Sequence, residues 1–339
     1  MIVPIILLAV GFVLLIKGGD WFVDGATGIA RRFHLPEILI GATVVSIGTT
    51  LPEVMVSAGA ALQGSGSIAY GNAIGSIICN TSLIAALTIA IKPGAAARKS
   101  MILPVAFFFG AAIIYCLGAY VFGTFSLLMG IVLLSVFVIY MVSTVLRMKN
   151  TASVLADTET EAEMEITTGE DHVVESEEKG TKDSLLKDIL LLVVGAAVIA
   201  FGADLLVDNA IIIAEKFGVS EKVIGLTIVA LGTSLPEFVT AITSLIKGHG
   251  SLSLGNIIGA NLFNLVLVSG VAVTLNPFDV PVSGLIGGIN SSLVLDIPVM
   301  LAVMLILTVP TLIKEKLSRW QGILLLGIYA AFCVLQFAL

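Results

Sequence analysis

GATVVSIGTTLPE (residues 41–53) and GLTIVALGTSLPE (residues 225–237) are nearly the same string. Both read Gly-Thr-Thr/Ser-Leu-Pro-Glu at the end, and both lie inside long apolar runs. Working outward in register, Gly11 meets Gly195, Gly18 meets Gly202, Asp20 meets Asp204 and Asp24 meets Asp208. GNAIGSIICN (71–80) meets GNIIGANLFN (255–264) without a gap. The chain is therefore duplicated. Fixed-period self-similarity governs how the remaining sequence is read.

The runs around the strings set the environment. The chain has 339 residues, of which 58% are hydrophobic and 12% charged, with a mean hydropathy of +1.10. A soluble domain carries about 25% charged residues, so a soluble globular enzyme is excluded. Spanning a bilayer takes about 20 mostly apolar residues. Ten runs qualify: 2–30, 38–61, 68–91, 101–119, 124–146, 186–214, 222–246, 251–274, 289–312 and 320–338. The first has no basic leader and is read as a retained helix. Each half carries five spans, an odd number, so the second half enters the membrane in the opposite sense. The expected fold is an all-α polytopic membrane protein with ten transmembrane helices in two inverted five-helix repeats. Residues 1–149 form the first repeat (motif 41–80) and 186–339 the second (motif 225–264), joined by a linker, 150–185. Inverted repeats are the layout of many secondary transporters, whose substrate site lies near the bilayer midplane.

Charge gives the orientation. With alternating loops, fourteen Lys and Arg fall on one side and only Lys216 and Lys222 on the other, Lys17 lying within the first span. The basic side is cytoplasmic, so both termini face outward and the linker faces the cytoplasm. The net charge of −7 is local: residues 150–184 hold eleven acidic residues and two lysines, a balance of −9. That stretch reads as a solvated linker without regular structure, and it lacks EF-hand spacing. The rest of the chain offers no basic surface for nucleic acid. Cys79, Cys116 and Cys333 lie apart in apolar runs and form neither a disulfide framework nor a zinc site.

Polar residues inside the spans carry the chemistry. A carboxylate in hydrocarbon costs several kcal/mol and marks a functional site by default. Glu53 and Glu237 are two such groups at matched positions. Proline removes a backbone donor and glycine weakens the preceding turn, so Gly48–Pro52 and Gly232–Pro236 are each expected to break or kink their helix. Carbonyls freed within a membrane must be satisfied, and a cation can do so. Each string thus gathers a carboxylate, two hydroxyls and loose carbonyls, all hard oxygen ligands of the kind calcium and sodium take. Asn80 and Asn264, at matched positions, add amide carbonyls. Ser76 has Ala260 as its counterpart, which makes the site asymmetric. Asn72 and Asn256 are expected to bond helix ends. Gly71, Gly75, Gly255 and Gly259 let helices approach closely. Asp20, Asp24, Asp204 and Asp208 are expected to be satisfied near each interface, by backbone or by Lys17, or else to mark an ion-entry path or hinge. Asp296 opens the ninth span, where a carboxylate suits the helix dipole. Two carboxylates about 5 Å apart repel by about 3 kcal/mol at an effective dielectric of 20. An empty site therefore favours protons or cations.

These duplicated strings resemble the alpha repeats of the cation/calcium exchanger superfamily, and look most like its prokaryotic sodium/calcium exchangers. The resemblance covers nearly all of the chain outside the acidic linker. It implies a calcium/sodium antiporter of the cell membrane, working by alternating access, without cofactor and without enzymatic activity. Carried over, Glu53 and Glu237 would bind calcium and share in sodium binding. Thr49, Thr50, Thr233 and Ser234 would give hydroxyls or carbonyls to sodium, and Ser46 and Ala230 backbone carbonyls. Asn80 and Asn264 would flank the centre, with Ser76 at a sodium site. The first and sixth helices would slide against this core. The family's archaeal exchangers carry serine where Ala260 stands and aspartate where Asn264 stands. Calcium/proton antiport is the alternative, although that branch uses a different string around its glutamates. A channel would usually need an oligomeric ring, and the hydroxyl and amide neighbours do not resemble the oxyanion site of a hydrolase.

Overall fold

The computed structural model describes residues 2–33, 35–166, 180–217, 230–282 and 284–338. Among them nine helices are long and apolar enough to cross a membrane: α1 (Ile2–Arg32), α2 (Glu37–Leu62), α3 (Gly66–Ile91), α4 (Arg98–Phe122), α5 (Leu127–Met148), α6 (Leu185–Ile213), α8 (Gly250–Leu275), α9 (Ser292–Lys314) and α10 (Arg319–Gln336). Between α6 and α8 lies α7 (Leu235–Ile246), preceded by the helical turn Ala230–Thr233. The first residues of the expected seventh span, 222–229, lie outside the described residues. The helices follow the sequence order of two five-helix sets. Strand structure among the described residues is limited to two-residue pairs, one of which joins the halves: Thr124–Phe125 runs antiparallel to Phe278–Asp279.

The inversion is visible where α1 meets α6. A Cβ added at Gly11 would lie 2.9 Å from the Gly202 carbonyl oxygen, one at Gly18 2.9 Å from the Ile199 nitrogen, and one at Gly25 2.5 Å from the Asp188 carbonyl oxygen. Along α1 the partner number falls as the residue number rises, so the two helices run antiparallel. The contact is also reciprocal. Gly195, the repeat counterpart of Gly11, sits against Gly18 and Phe22, while Gly202, the counterpart of Gly18, sits against Gly11 and Leu14. An exchange of equivalents of this kind is the mark of a two-fold relation between halves.

Burial sorts the helices. The four motif-bearing helices are central: α2, α3 and α8 are largely buried, and the inner face of α7 carries Glu237, Thr240, Ala241 and Ser244. Helices α1, α6 and α10 are mostly exposed. Ile2, Ile5, Val13, Ile113, Val138, Val193 and Ile323 point outward although strongly apolar. That pattern belongs to a multi-pass integral membrane protein, whose outer surface meets hydrocarbon. The largest apolar cluster packs Tyr70, Phe108, Tyr115, Phe125, Tyr140 and Phe263 among α3, α4, α5 and α8. Tyr140 also donates to the Ala42 carbonyl at 2.8 Å, tying α5 to the start of α2.

Composition understated the linker's order. Helix continues from α5 to Ile166 and begins again at Gly180 ahead of α6. A helix already nucleated in the membrane adds residues at little cost, and 151–166 is rich in Ala and Glu, which extend helices readily. Residues 167–179 lie outside the described residues.

The α1–α6 contact yields a test. Adding side-chain bulk at Gly18 or Gly195 overpacks a backbone contact and should cost about 1–3 kcal/mol. Gly18→Val and Gly195→Val should each lower the apparent melting temperature of the detergent-solubilised protein. Gly110→Val, where no described atom lies within 4 Å of an added Cβ, should leave it nearly unchanged.

Candidate cation site

Glu53 sits on α2 and Glu237 on the first turn of α7. Both side chains are fully buried. The two carboxyl groups lie within interaction range of each other, and the Thr49 side chain lies beside Glu237. None of the four carboxylate oxygens has a well-formed hydrogen bond among the described residues. The same holds for Thr50 Oγ1, Ser234 Oγ, both polar atoms of the Asn80 amide and Asn264 Oδ1, all buried. Buried polar atoms are normally paired, and each exception calls for an explanation. Here the orphaned atoms are mostly oxygens, drawn from matched positions in both repeats.

The two strings differ in backbone. The first runs as continuous helix, Ser46–Leu62, with Pro52 inside it. The second breaks at Ser234 (φ −95°, ψ 8°), between Ala230–Thr233 and Leu235–Ile246, with its proline in the first turn of the new helix. Of the expected breaks or kinks, 232–236 is a break, while 48–52 stays helical around Pro52. The difference lies in what holds the turn. Ser46 Oγ donates to the Gly41 carbonyl at 2.7 Å and lies 2.9 Å from the Asn256 carbonyl, while Thr49 Oγ1 donates to Asn256 Oδ1 at 3.2 Å. Alanine at 230 has no hydroxyl with which to copy the Ser46 bonds.

Asn80 and Asn264 each open a π-helical segment, Asn80–Ala85 and Asn264–Val268. Wide turns of this kind occur often at functional sites. The segment led by Asn80 packs against α7, and the one led by Asn264 against α2, so each amide stands beside the other repeat's glutamate helix. Asn264 Nδ2 donates to the Ala260 carbonyl at 3.1 Å, which leaves Oδ1 as its free end. Ser76 and Ala260 are buried on α3 and α8, and Thr233 is half-buried at the helix break. The Ala230 side chain lies outside the described residues.

Asn72 and Asn256 are not at helix ends. Asn256 lies within α8, fully buried, and accepts from Thr49 beside the site. Asn72 donates to the Glu53 carbonyl at 3.1 Å and to Ser57 Oγ at 2.9 Å. Their equivalence in the repeat, one turn from the Gly pairs, was the signal that could have placed them here. The α2–α8 contact is close: a Cβ at Gly255 would meet the Ile38 carbonyl, and one at Gly259 would meet Ser46 Oγ and Ala42. Asp20 and Asp24 pair with Lys247, not Lys17: Lys247 Nζ lies 2.8 Å from Asp24 Oδ1 and 3.4 Å from Asp20 Oδ1. Asp204 and Asp208 are exposed, and no ion pair to either is found among the described residues. Asp296 accepts from Gln336 Nε2 at 2.6 Å.

The sodium/calcium exchanger protein family model matches residues 3–146 and 187–338. This chain belongs to the sodium/calcium exchanger family. It is 34% identical to an uncharacterized membrane protein of Methanocaldococcus jannaschii, over 94% of this chain and 93% of the relative. It is 31% identical to the sodium/calcium exchanger MaX1 of Methanosarcina acetivorans, over 99% of both chains. Among solved structures it matches the sodium-calcium exchanger NCX_Mj soaked with sodium and strontium, with a TM-score of 0.74, 32% identity and 97% coverage of each chain. Members of this family are membrane transporters, not enzymes, and the fold seen here is theirs.

A cation that fills the orphaned oxygens stabilises the folded state by mass action. At a calcium concentration of about 100 times Kd the gain is about 2.7 kcal/mol. Calcium should therefore raise the melting temperature of the wild-type protein. Glu53→Gln, which removes one buried charge, should melt at a higher temperature without calcium and show little further rise with it.

Proposed function

We propose that the chain exchanges calcium for sodium across the cell membrane by alternating access at a site near the bilayer midplane. The observation that carries this reading is the pair of buried carboxylates, one from each inverted repeat, ringed by unpartnered neutral oxygens. Glu53 and Glu237 hold calcium and share in holding sodium. Thr49, Thr50, Thr233, Ser234, Ser76, Asn80 and Asn264 add neutral ligands, and Ser46 and Ala230 add backbone carbonyls. A divalent ion neutralises the carboxylate pair. Monovalent ions occupy the same oxygens in its absence, so the occupants exclude one another. The surplus of neutral oxygens over what one divalent ion requires supports sodium as the counter-ion.

Residues 1–149 and 186–339 are the two inverted repeats, with 150–185 as the acidic cytoplasmic linker between them. Both termini face outward and the linker faces the cytoplasm, following the bias of Lys and Arg. Lipid covers the apolar outer faces of α1, α6 and α10. The α1–α6 pair slides against the motif helices and exposes the site to one side at a time. The names of MaX1 and NCX_Mj agree with this chemistry.

The test is calcium-45 uptake into proteoliposomes loaded with sodium, potassium or acid, with Glu53→Gln as the blank. Uptake driven by the outward sodium gradient, and absent in the variant, is the expected result. Uptake driven by the pH gradient alone would replace sodium with protons as the counter-ion. Uptake that needs no opposing gradient would indicate a channel.

A further inference from the structure

Beyond the carboxylate pair, α7 carries two hydroxyls that the site does not use. Glu237, Thr240 and Ser244 share one helical face, and the Thr240 and Ser244 side chains are fully buried. Neither hydroxyl has a hydrogen-bond partner among the described residues. Several helical hydroxyls away from the site satisfy themselves on the preceding turn: Thr27 on the Val23 carbonyl at 2.9 Å, Thr144 on Tyr140 at 2.9 Å and Thr308 on Met304 at 2.6 Å. Local helix geometry therefore offers the bond, and Thr240 and Ser244 forgo it. The repeat does not demand them either, because the equivalent residues of α2 are Val56 and Ala60.

The column leads somewhere. The end of α7 meets α3 and the start of α8 around a cavity of about 230 Å³, whose walls include Thr88, Lys92, Leu245, Ser253, Leu254 and Ile257. Ala241, between the two hydroxyls, packs in the same α3–α8 cluster as Leu254 and Ile257. This end of the molecule carries the basic loops.

We infer that Thr240 and Ser244 line the cytoplasmic ion route, passing a partly dehydrated cation between the Glu237 carboxylate and this cavity. The inference rests on the exchanger reading and its orientation. An oxygen left free in a buried column can replace one water of a passing cation, as carbonyl and hydroxyl oxygens do in narrow pores. The buried face of α2 offers one hydroxyl after Glu53, Ser57, and its oxygen already accepts from Asn72 Nδ2, so a column of two unpartnered hydroxyls is found on the α7 side and not on the α2 side among the described residues.

Thr240→Val and Ser244→Ala, alone and together, provide the test. The calcium-induced rise in melting temperature should stay that of the wild type, and the melting temperature itself should stay equal or rise, since no hydrogen bond is lost. Calcium-45 uptake by the double variant should fall by about fivefold or more, the scale of one lost polar contact in a barrier. In a background with Cys79, Cys116 and Cys333 replaced by alanine, Ser244→Cys should react with a membrane-impermeant cationic thiol reagent from the cytoplasmic side. Ala60→Cys should not react from that side. Wild-type uptake in the double variant, or labelling of Ser244→Cys only from outside, would overturn the inference. Labelling reports access and not coupling, so a proton-coupled carrier would give the same pattern, and failure of sodium coupling is separable from failure of this route.

Discussion

Two carboxylates that face each other in a buried site, with no well-formed hydrogen bond to either among the described residues, cannot both stay charged unless something positive joins them. Glu53 and Glu237 are in that position. Their helices are the central ones, and the neighbouring free atoms on Thr50, Ser234, Asn80 and Asn264 bring mostly neutral oxygens to the same place. A structural ion pair would have supplied an Arg or Lys. Instead the chain supplies uncharged oxygens and amides there, the kind of neighbours the proposed cation site calls for. Each repeat contributes one carboxylate, and the glycines of α1 and α6 let those two helices pack backbone against backbone.

Two-fold symmetry governs the fold, and its departures follow single residues. Ser46 ties α2 to α8 through Asn256, and its counterpart Ala230 cannot. Lys247 joins α7 to Asp20 and Asp24 on α1, and its counterpart is Gln63. His249 meets Glu37 at 2.7 Å, and its counterpart is Ser65. All three contacts lie towards the same end of the molecule, where α2 and α8 begin and α7 ends. The chain carries a different residue type at each equivalent position of the other repeat, so these contacts break the two-fold symmetry at that end.

Much of this was legible in the sequence. Carboxylates in hydrocarbon are costly enough to stand out, and a duplicate in register removes the chance explanation, so residue type and spacing alone single out Glu53, Glu237, Asn80 and Asn264 as candidates. Helix number and the inverted arrangement followed from apolar length and from an odd count per repeat. What escaped was set by partners distant in sequence. Lys17 was the nearest base to Asp20, but the partner is Lys247, brought in by the packing of α7 on α1. Asn256 looked like a helix-end residue because its acceptor role depends on Ser46 and Thr49, two hundred positions away in the other repeat. Identical Leu-Pro-Glu strings adopt different backbones because proline deletes only one bond, and the surroundings decide whether the helix closes over the gap. The π-helical turns at Asn80 and Asn264 left no signature in residue type.

The amide at Asn264 fixes the charge of the site. Its nitrogen is committed to the Ala260 carbonyl, so the free end is a carbonyl oxygen, a ligand that adds no charge. Among the described residues no third acid, His or Cys joins the two glutamates. In the proposed exchange, the two glutamates contribute at most two negative charges, which one divalent ion balances. The neutral oxygens replace lost water without altering that balance. Under that proposal, discrimination between ions falls to the spacing and number of neutral ligands, because the carboxylate charge is the same for every occupant.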